Sequence, residues 1–546
     1  MTLTVAIVGA GPTGLYTFQK LIETKEPLTI WVFEKGDRAG IGMPYTAEKT
    51  DRRMLANIAS IEIPTLTMSY YDWLKEQPDA ILKSYGVEPT TFNVRTFTPR
   101  MLLGEYYRAQ FVTLVGHAEE RGHHVEILEG VEIEDVVPQN NAVQLISTVG
   151  VIEQLFDRVI LATGHMFPID EDETDHYYPS PWSGLIDADI PATSVGIMGT
   201  SLSAIDAAMA VSCQHGRFKE DGKGDLSYEL KDKNSKLAIS LLSRSGIVPE
   251  ADFYCPLPYE PLTVCTEAAL TNERSKSTDG LLDRAYVLFA REIETNDPDW
   301  AKEIALQKLD ADTFHDAYFD RRLKSDPFKW ARKNLKEVEE NRDARITVAW
   351  RYAILRMHEA FEVLYADLCE DDRKRFDRGL KRVFVDNYAA IPPESIRRML
   401  ALRDAKILSV ASLGEDYGMT VRPEKTIITS NDECYEFEVF IDARGQQALG
   451  SKEIPFPTLR KILLDAGPEV TEVGEDYSVI DPPELEGLVS LGAIPFLMHD
   501  RPFVQGITAC AEIGKAMGHA VRRQATRRRR RVMAACGGPR RKAEPT

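Results

Sequence analysis

Residues 4–14 read Thr4-Val5-Ala6-Ile7-Val8-Gly9-Ala10-Gly11-Pro12-Thr13-Gly14. The first five form a short apolar run suited to a buried strand, the next six a glycine-rich turn, and residues 15–23 carry a helical pattern. A second apolar run, 28–33, closes on Glu34, 20 positions beyond Gly14. Strand, turn, helix and acid in this order are the context in which a GxGxxG stretch binds a dinucleotide. Gly9 permits the tight turn, Gly11 lets a pyrophosphate approach the backbone, and Gly14 lets the helix pack closely on the strand. The helix start, at Pro12 and Thr13, offers unpaired N–H groups and a positive dipole end. Glu34, with Lys35 beside it, can accept hydrogen bonds from both ribose hydroxyls and would repel a 2′-phosphate, which favours FAD or NAD over NADP.

A second copy of the plan is expected from residue 194. Residues 194–198 read as a strand, Gly199-Thr200-Ser201-Leu202-Ser203-Ala204 as the turn, 205–211 as a helix, and 237–242 as the next strand. Ser201 and Ala204 replace the second and third glycines. Arg244, expected at the strand end where Glu34 sits in the first copy, would pair with a 2′-phosphate, so NADPH is expected here, with NADH possible. Short runs at 125–128, 131–137 and 143–148 predict a β-meander leading back to a buried strand at 156–164; runs at 406–410, 419–422, 426–429 and 437–445 repeat that succession. Between them, residues 281–293 and 352–364 space apolar side chains three and four apart, the mark of helices.

The fold class expected is therefore α/β: two Rossmann-like dinucleotide-binding domains with β-meanders, plus a helical insertion. The predicted divisions are an FAD-binding domain over 1–190 and 446–521, an NAD(P)-binding domain over 191–267 and 406–445, a helical insertion over 268–405, and a basic disordered tail over 522–546. The chain has 546 residues and a net charge of −19, yet the tail carries Arg522, Arg523, five consecutive arginines from Arg527 to Arg531, then Arg540, Arg541 and Lys542. A solvated extension is the plainer reading of such a tail, and nucleic acid is not an expected partner apart from it. No apolar run approaches the roughly 20 residues needed to span a bilayer, and no leader pattern opens the chain, so a cytoplasmic protein is expected. The seven cysteines include no CxxC pair and no zinc-finger spacing, which argues against a metal centre and against a dithiol relay behind the flavin.

Several segments together resemble a family of bacterial FAD/NAD(P)-binding proteins, enterobacterial and oxidoreductase-like. They are Gly9 to Gly14, Glu34, Gly42-Met43-Pro44-Tyr45, residues 54–64, residues 99–106, Ala162-Thr163-Gly164-His165 and residues 199–203. The resemblance runs to about residue 521; more distantly the layout is similar to class B flavin monooxygenases, including amine N-hydroxylases. It implies FAD and NAD(P) as cofactors. It also implies that Asn57 sits near the isoalloxazine, that Arg100 lies by the FAD or forms an ion pair, and that Thr163 and Gly164 abut the flavin's adenosine half. A helix starting near Gln505 and Gly506 would, as in related flavoproteins, point its N-terminus at the flavin pyrimidine edge. His165, Asp252 and Tyr254 are candidate polar groups near the nicotinamide; no residue is assigned as catalytic acid or base. The implied chemistry is hydride transfer from NAD(P)H to flavin. Three outcomes follow from it: monooxygenation of a small molecule, electron transfer to a quinone or protein, or nucleotide binding by a sensor or scaffold without turnover.

Overall fold

The computed structural model describes residues 2–536, apart from 48–49, 51, 167–175, 183–184, 187, 222–224 and 431–432; residues 531–536 are described by their backbone alone. The chain opens with β1 (Leu3–Val8), α1 (Pro12–Leu21) and β2 (Leu28–Glu34). Short helices α2 (Tyr70–Glu76) and α3 (Asp79–Ser84) precede the long α4 (Arg100–Glu120) and then β3 (His124–Glu129). An antiparallel trio, β4 (Ile133–Gln139), β5 (Ala142–Ser147) and β6 (Gly150–Val151), leads to β7 (Arg158–Leu161). With β18 (Val489–Leu491) these complete a five-stranded sheet in the order β18-β7-β1-β2-β3, parallel throughout. Its central strand β1 is almost wholly buried, as a strand covered by layers on both faces must be.

The second sheet repeats the arrangement in the order β13-β12-β9-β17-β8. Its strands are β8 (Tyr177–Tyr178), β9 (Ser194–Met198), β12 (Ala238–Ser243), β13 (Leu408–Ser412) and β17 (Val439–Asp442), again all parallel. Helix α5 (Leu202–His215) follows β9, and a hairpin of β10 (Gly216–Glu220) and β11 (Leu226–Leu230) follows α5. A further antiparallel trio, β14 (Tyr417–Arg422), β15 (Lys425–Ser430) and β16 (Glu433–Phe437), stands before β17.

Two sequence expectations need correction. The runs at 125–128 and 406–410 are not meander strands: they are β3 and β13, the outer strands of the two parallel sheets. Tyr177 and Tyr178, ahead of the boundary expected at 190, pair with Phe440 and Ile441 in the second sheet. The basic segment from 522 is not a disordered tail as far as it is described: α16 (Gly506–Cys536) runs on through it. Arg523 pairs with Asp476 at 2.9 Å, Arg528 with Asp157 at 2.5 Å and Arg529 with Glu26 at 3.4 Å, so body carboxylates neutralise one face of the helix. Arg540, Arg541 and Lys542 lie outside the described residues.

Between β12 and β13 the helices are α6 (Glu267–Lys276), α7 (Leu281–Asn296), α8 (Pro298–Glu303), α9 (Phe314–Leu323), α10 (Pro327–Ala344), α11 (Ala349–Tyr365), α12 (Glu370–Arg378), α13 (Leu380–Tyr388) and α14 (Pro393–Asp404). Helix α7 shows why they form: Leu281, Leu282, Ala285, Tyr286, Phe289 and Ile293 make one buried stripe. That stripe joins Phe361, Phe376 and Phe384 in an aromatic core which also takes in Phe503, just ahead of α16. The last helix before α16 is α15 (Pro457–Ala466), packed on β4 through Thr458, whose hydroxyl donates to Asp135 at 2.5 Å.

Candidate functional site

The first turn is shaped by contacts that leave no room for side chains. Gly9 has φ +96°, and a Cβ there would stand 2.3 Å from the Ala162 carbonyl oxygen; only glycine fits both demands. At Gly14 a Cβ would lie 2.1 Å from the Gly9 carbonyl oxygen, so the first turn of α1 rests directly on the loop. Gly11 is the N-cap residue of α1 and offers no side-chain acceptor, with Pro12 following at the first helical position. The N–H groups of Thr13 and Gly14 therefore lack intrahelical partners; that of Thr13 approaches the Cys510 thiol, and such a helix start can receive an anion. Glu34 is clamped at the end of β2: Ala10 N–H donates to its Oε2 at 3.0 Å and Gly36 N–H to its Oε1 at 2.9 Å. Each carboxylate oxygen keeps a lone pair for a ribose hydroxyl. Lys35 beside it is exposed.

Helix α16 runs parallel to α1 and brings a second helix start to the same pole. Cys510 lies against Thr13 and burial raises its thiol pKa to about 11. One turn on, a Cβ at Gly514 would be 2.7 Å from Thr17 N, and a further turn on, one at Gly518 would be 2.4 Å from Lys20 Cβ. This four-residue glycine spacing lets two helix backbones touch, and it places exposed Gln505 and Gly506 beside the first turn. Asn57 is half-buried in the loop between β2 and α2, where Ala56 N–H donates to Thr98 O at 2.8 Å.

The second turn relaxes the same design. Gly199, at φ +122°, donates its N–H to Leu242 O at 2.6 Å, and a Cβ on it would meet Ala443 O at 3.0 Å. The same hypothetical atom would lie 3.5 Å from the Ala204 Cβ, an ordinary contact, and the second turn carries this alanine at the position of Gly14. Ser201 caps α5 with its backbone extended and its side chain exposed; Ser203 is half-buried in the first turn of that helix. Thr200 is tied down, its hydroxyl donating to Ile247 O at 2.6 Å.

Register corrects the expectation for Arg244. In the first copy Gly9 N–H bonds Phe33 O, and in the second Gly199 N–H bonds Leu242 O. Ser243 therefore takes the position of Glu34, and Arg244 that of Lys35. Its guanidinium is 65% exposed and pairs with Glu415 at 3.2 Å.

The carboxyl ends of the two sheets meet. Thr163 and Gly164 follow β7, with Ala162 N–H bonded to Val8 O at 2.8 Å, so this turn sits on Gly9. Met166 N–H donates to the Gln446 side-chain oxygen at 3.0 Å, joining the end of β7 to the loop after β17. His165 shares the Gln446 contact, and burial holds its pKa below the usual imidazole value. Arg100, 9% exposed at the start of α4, brings Nη2 to 2.6 Å from Asp206 Oδ2 on α5 and stands 5.4 Å from the Trp182 ring centre. Burial pushes the Asp206 carboxyl above its ordinary pKa while Arg100 pulls it back. The ion pair expected as one role for Arg100 is present, and it joins the start of α4 to α5.

A second set of polar groups lies where the loop after β12 meets the loop after α3. Burial, with Glu62 adding, pushes the Asp252 carboxyl up to about 7. Arg95 stands 4.6 Å over the Tyr254 ring and donates to Cys255 O. Sequence reasoning named Asp252 and Tyr254 but missed Arg95, Glu62, Asp206 and Gln446, which carry no local motif and act through contacts distant in the chain. Among the described residues no group of His, Cys, Asp or Glu is placed to hold a metal ion, and no helix is long and apolar enough to cross a membrane.

Two dinucleotide turns on parallel sheets, abutting at their carboxyl ends, define the class: an FAD/NAD(P)-binding protein with the oxidoreductase fold of flavoenzymes. Residues 6–166 match the FAD-NAD(P)-binding family model, and residues 266–388 match the YdhS-like middle domain. Over 97% of its length the chain is 52% identical to the protein YdhS of Escherichia coli (strain K12), of which 99% is covered; the chain belongs to the YdhS family. Among solved structures, the ornithine N-hydroxylase of Kutzneria sp. 744 aligns over 97% of this chain and 100% of its own, with 14% identity and a TM-score of 0.50. The lysine monooxygenase NbtG of Nocardia farcinica aligns over 94% and 99% with 13% identity and a TM-score of 0.43. The bacillithiol disulfide reductase of Bacillus cereus aligns over 97% and 100% with 12% identity and a TM-score of 0.39.

Proposed function

We propose that this chain is an FAD-dependent oxidoreductase reduced by NADPH, and that it uses the reduced flavin to monooxygenate a small molecule. When both cofactors are bound, the nicotinamide supplies a hydride and the flavin accepts it and reacts with oxygen. The observation that carries the reading is the junction of Gln446, His165, Arg100 and Asp206, which turns the mouths of two nucleotide turns toward each other. Proximity of two bound cofactors is what such a transfer requires of a protein.

The first turn fits FAD. Gly9, Gly11 and Gly14 form a cradle that side chains would fill, Thr13 and Gly14 present N–H groups to the pyrophosphate, and Glu34 is oriented for the ribose. Thr163 borders that cradle, its Cα 3.3 Å from where a Cβ on Gly9 would stand; Asn57 and Gly164 would line the flavin, and the start of α16 at Gln505 and Gly506 would add a second positive helix end where negative charge would gather on reduction. Gly199, Ser201 and Ser203 would hold the nicotinamide cofactor's pyrophosphate at α5.

The helical insertion favours monooxygenation over electron transfer to an outside acceptor. Phe503, three residues ahead of α16, is 6% exposed and packs against His358, Phe376, Phe384 and Tyr388 with ring centres 5.5 to 6.1 Å away. The insertion thereby packs against the segment that leads into α16, and would help exclude water from a flavin held there. The sequence also holds no CxxC pair to relay electrons. The test is anaerobic mixing of the FAD-loaded protein with NADPH or NADH, followed by air and a panel of amines and ketones. Bleaching at the flavin band followed by substrate-coupled NADPH oxidation is expected; bleaching with rapid quinone reduction and no oxygenated product would assign a reductase instead.

A further inference from the structure

A cavity of about 350 Å³ opens beside the second turn, lined by Thr200, Ser201, Ser245, Phe319, Lys381 and Arg382 among others. It lies between the nucleotide unit and the insertion: Thr200 and Ser201 lead into α5, Ser245 follows β12, and Lys381 and Arg382 belong to the first turn of α13. The strand-end loop after β12 is the place where a dinucleotide fold holds the adenosine ribose, so a group on the ribose 2′-oxygen there would reach into this cavity.

The two carboxylates on its walls, Asp377 and Asp386, are both engaged, and one cation is left over. Lys381 Nζ is 3.0 Å from Asp377 Oδ1, and Asp386 is occupied by Arg322 at 2.5 Å and by the Tyr318 hydroxyl at 2.7 Å. Arg382 has no carboxylate partner among the described residues; its guanidinium stands 5.6 Å over the Phe319 ring. Helix α13 has no acidic residue in its first turn, and its N-cap Gly379 supplies no side-chain acceptor. Two cations at a helix start oppose the positive end of its own dipole, an arrangement that an incoming anion relieves. By contrast Arg244 does not line this cavity and turns to Glu415.

We propose that Arg382, with Lys381 beside it, binds the 2′-phosphate of NADPH, so that the helical insertion and not the strand-end arginine selects NADPH over NADH. This rests on the second turn being the nicotinamide site. The test is anaerobic titration of the FAD-loaded protein with NADPH and with NADH, reading dissociation constants for wild type, Arg382→Gln, Lys381→Gln and Arg244→Gln. Flavin content and melting temperature verify that each variant is folded. Losing one charge-assisted phosphate contact weakens NADPH by about tenfold or more. That loss is expected for Arg382→Gln, with a smaller one for Lys381→Gln and NADH unchanged in both. An unaltered NADPH-to-NADH ratio in both variants, or a loss confined to Arg244→Gln, overturns the assignment while leaving the oxidoreductase reading intact. A wild type that binds neither nicotinamide overturns both.

Discussion

Gly14→Ala probes the tightest contact of the first turn. The added Cβ would lie 2.1 Å from Gly9 O and 3.3 Å from Ile7 Cγ2. Ordinary non-bonded contact begins at about 3.5 Å, so the start of α1 would have to withdraw by roughly 1.4 Å. It has nowhere to go: on its far side α16 is so near that a Cβ on Gly514 would already stand 2.7 Å from Thr17 N. Overpacking of this kind costs about 1–3 kcal/mol. The same displacement carries the Thr13 and Gly14 N–H groups away from the pyrophosphate, and FAD affinity falls by about 10- to 100-fold. Ala204→Gly, the reverse change at the matched position of the second turn, should leave FAD binding alone and cost about 1 kcal/mol of stability. Titrating the apoprotein with FAD and following quenching of flavin fluorescence measures both. A Gly14→Ala protein that binds FAD with the wild-type constant would refute the reasoning.

Three further outcomes are expected. Arg100→Met strands the Asp206 carboxylate without its counter-charge and should cost about 3–5 kcal/mol in urea unfolding, with most of the loss restored in Arg100→Met/Asp206→Leu; a single variant as stable as wild type would remove the pair from the account. Asp252, with its pKa raised to about 7 by burial and Glu62, holds its proton more tightly folded than unfolded. Its contribution to stability is full at acid pH and declines as pH rises from about 4, the unfolded value, through the folded one. Melting temperatures at pH 5 and pH 8 should therefore differ less in Asp252→Asn than in wild type, and an identical difference would contradict the burial argument. Replacing Arg523, Arg528 and Arg529 together by Gln should lower stability by under about 2 kcal/mol at low salt and by much less at 1 M salt, because these pairs lie at the surface and are partly exposed; a salt-independent loss would show that α16 docks there by other means.

Much of the architecture was readable because β1, α1 and β2 are local: strand, turn, helix and Glu34 follow one another without help from distant residues. The misread strands show the limit. β3 and β13 are outer strands, exposed or half-buried along most of their length, as a meander strand is. Periodicity reveals a half-covered strand but not its neighbours, so two parallel strands passed for antiparallel ones. The one-residue error at Arg244 has a related origin, since register is set by Gly199 N–H on Leu242 O and not by where the apolar run ends. Arg100 was visible as a residue, but Asp206, its partner on another unit, was not. The cavity under α13 was equally hidden, because Lys381 and Arg382 lie more than 130 positions from Ser245, the loop residue after β12 that shares its lining.

Direct hydride passage between nucleotides held on the two turns is best tested by stopped-flow bleaching of the FAD-loaded protein with NADPH deuterated at one or the other face of nicotinamide C4. A fixed nicotinamide facing the flavin predicts slower bleaching for deuterium on one face and no change for the other. Bleaching insensitive to label on either face, or no bleaching at all, would contradict the account.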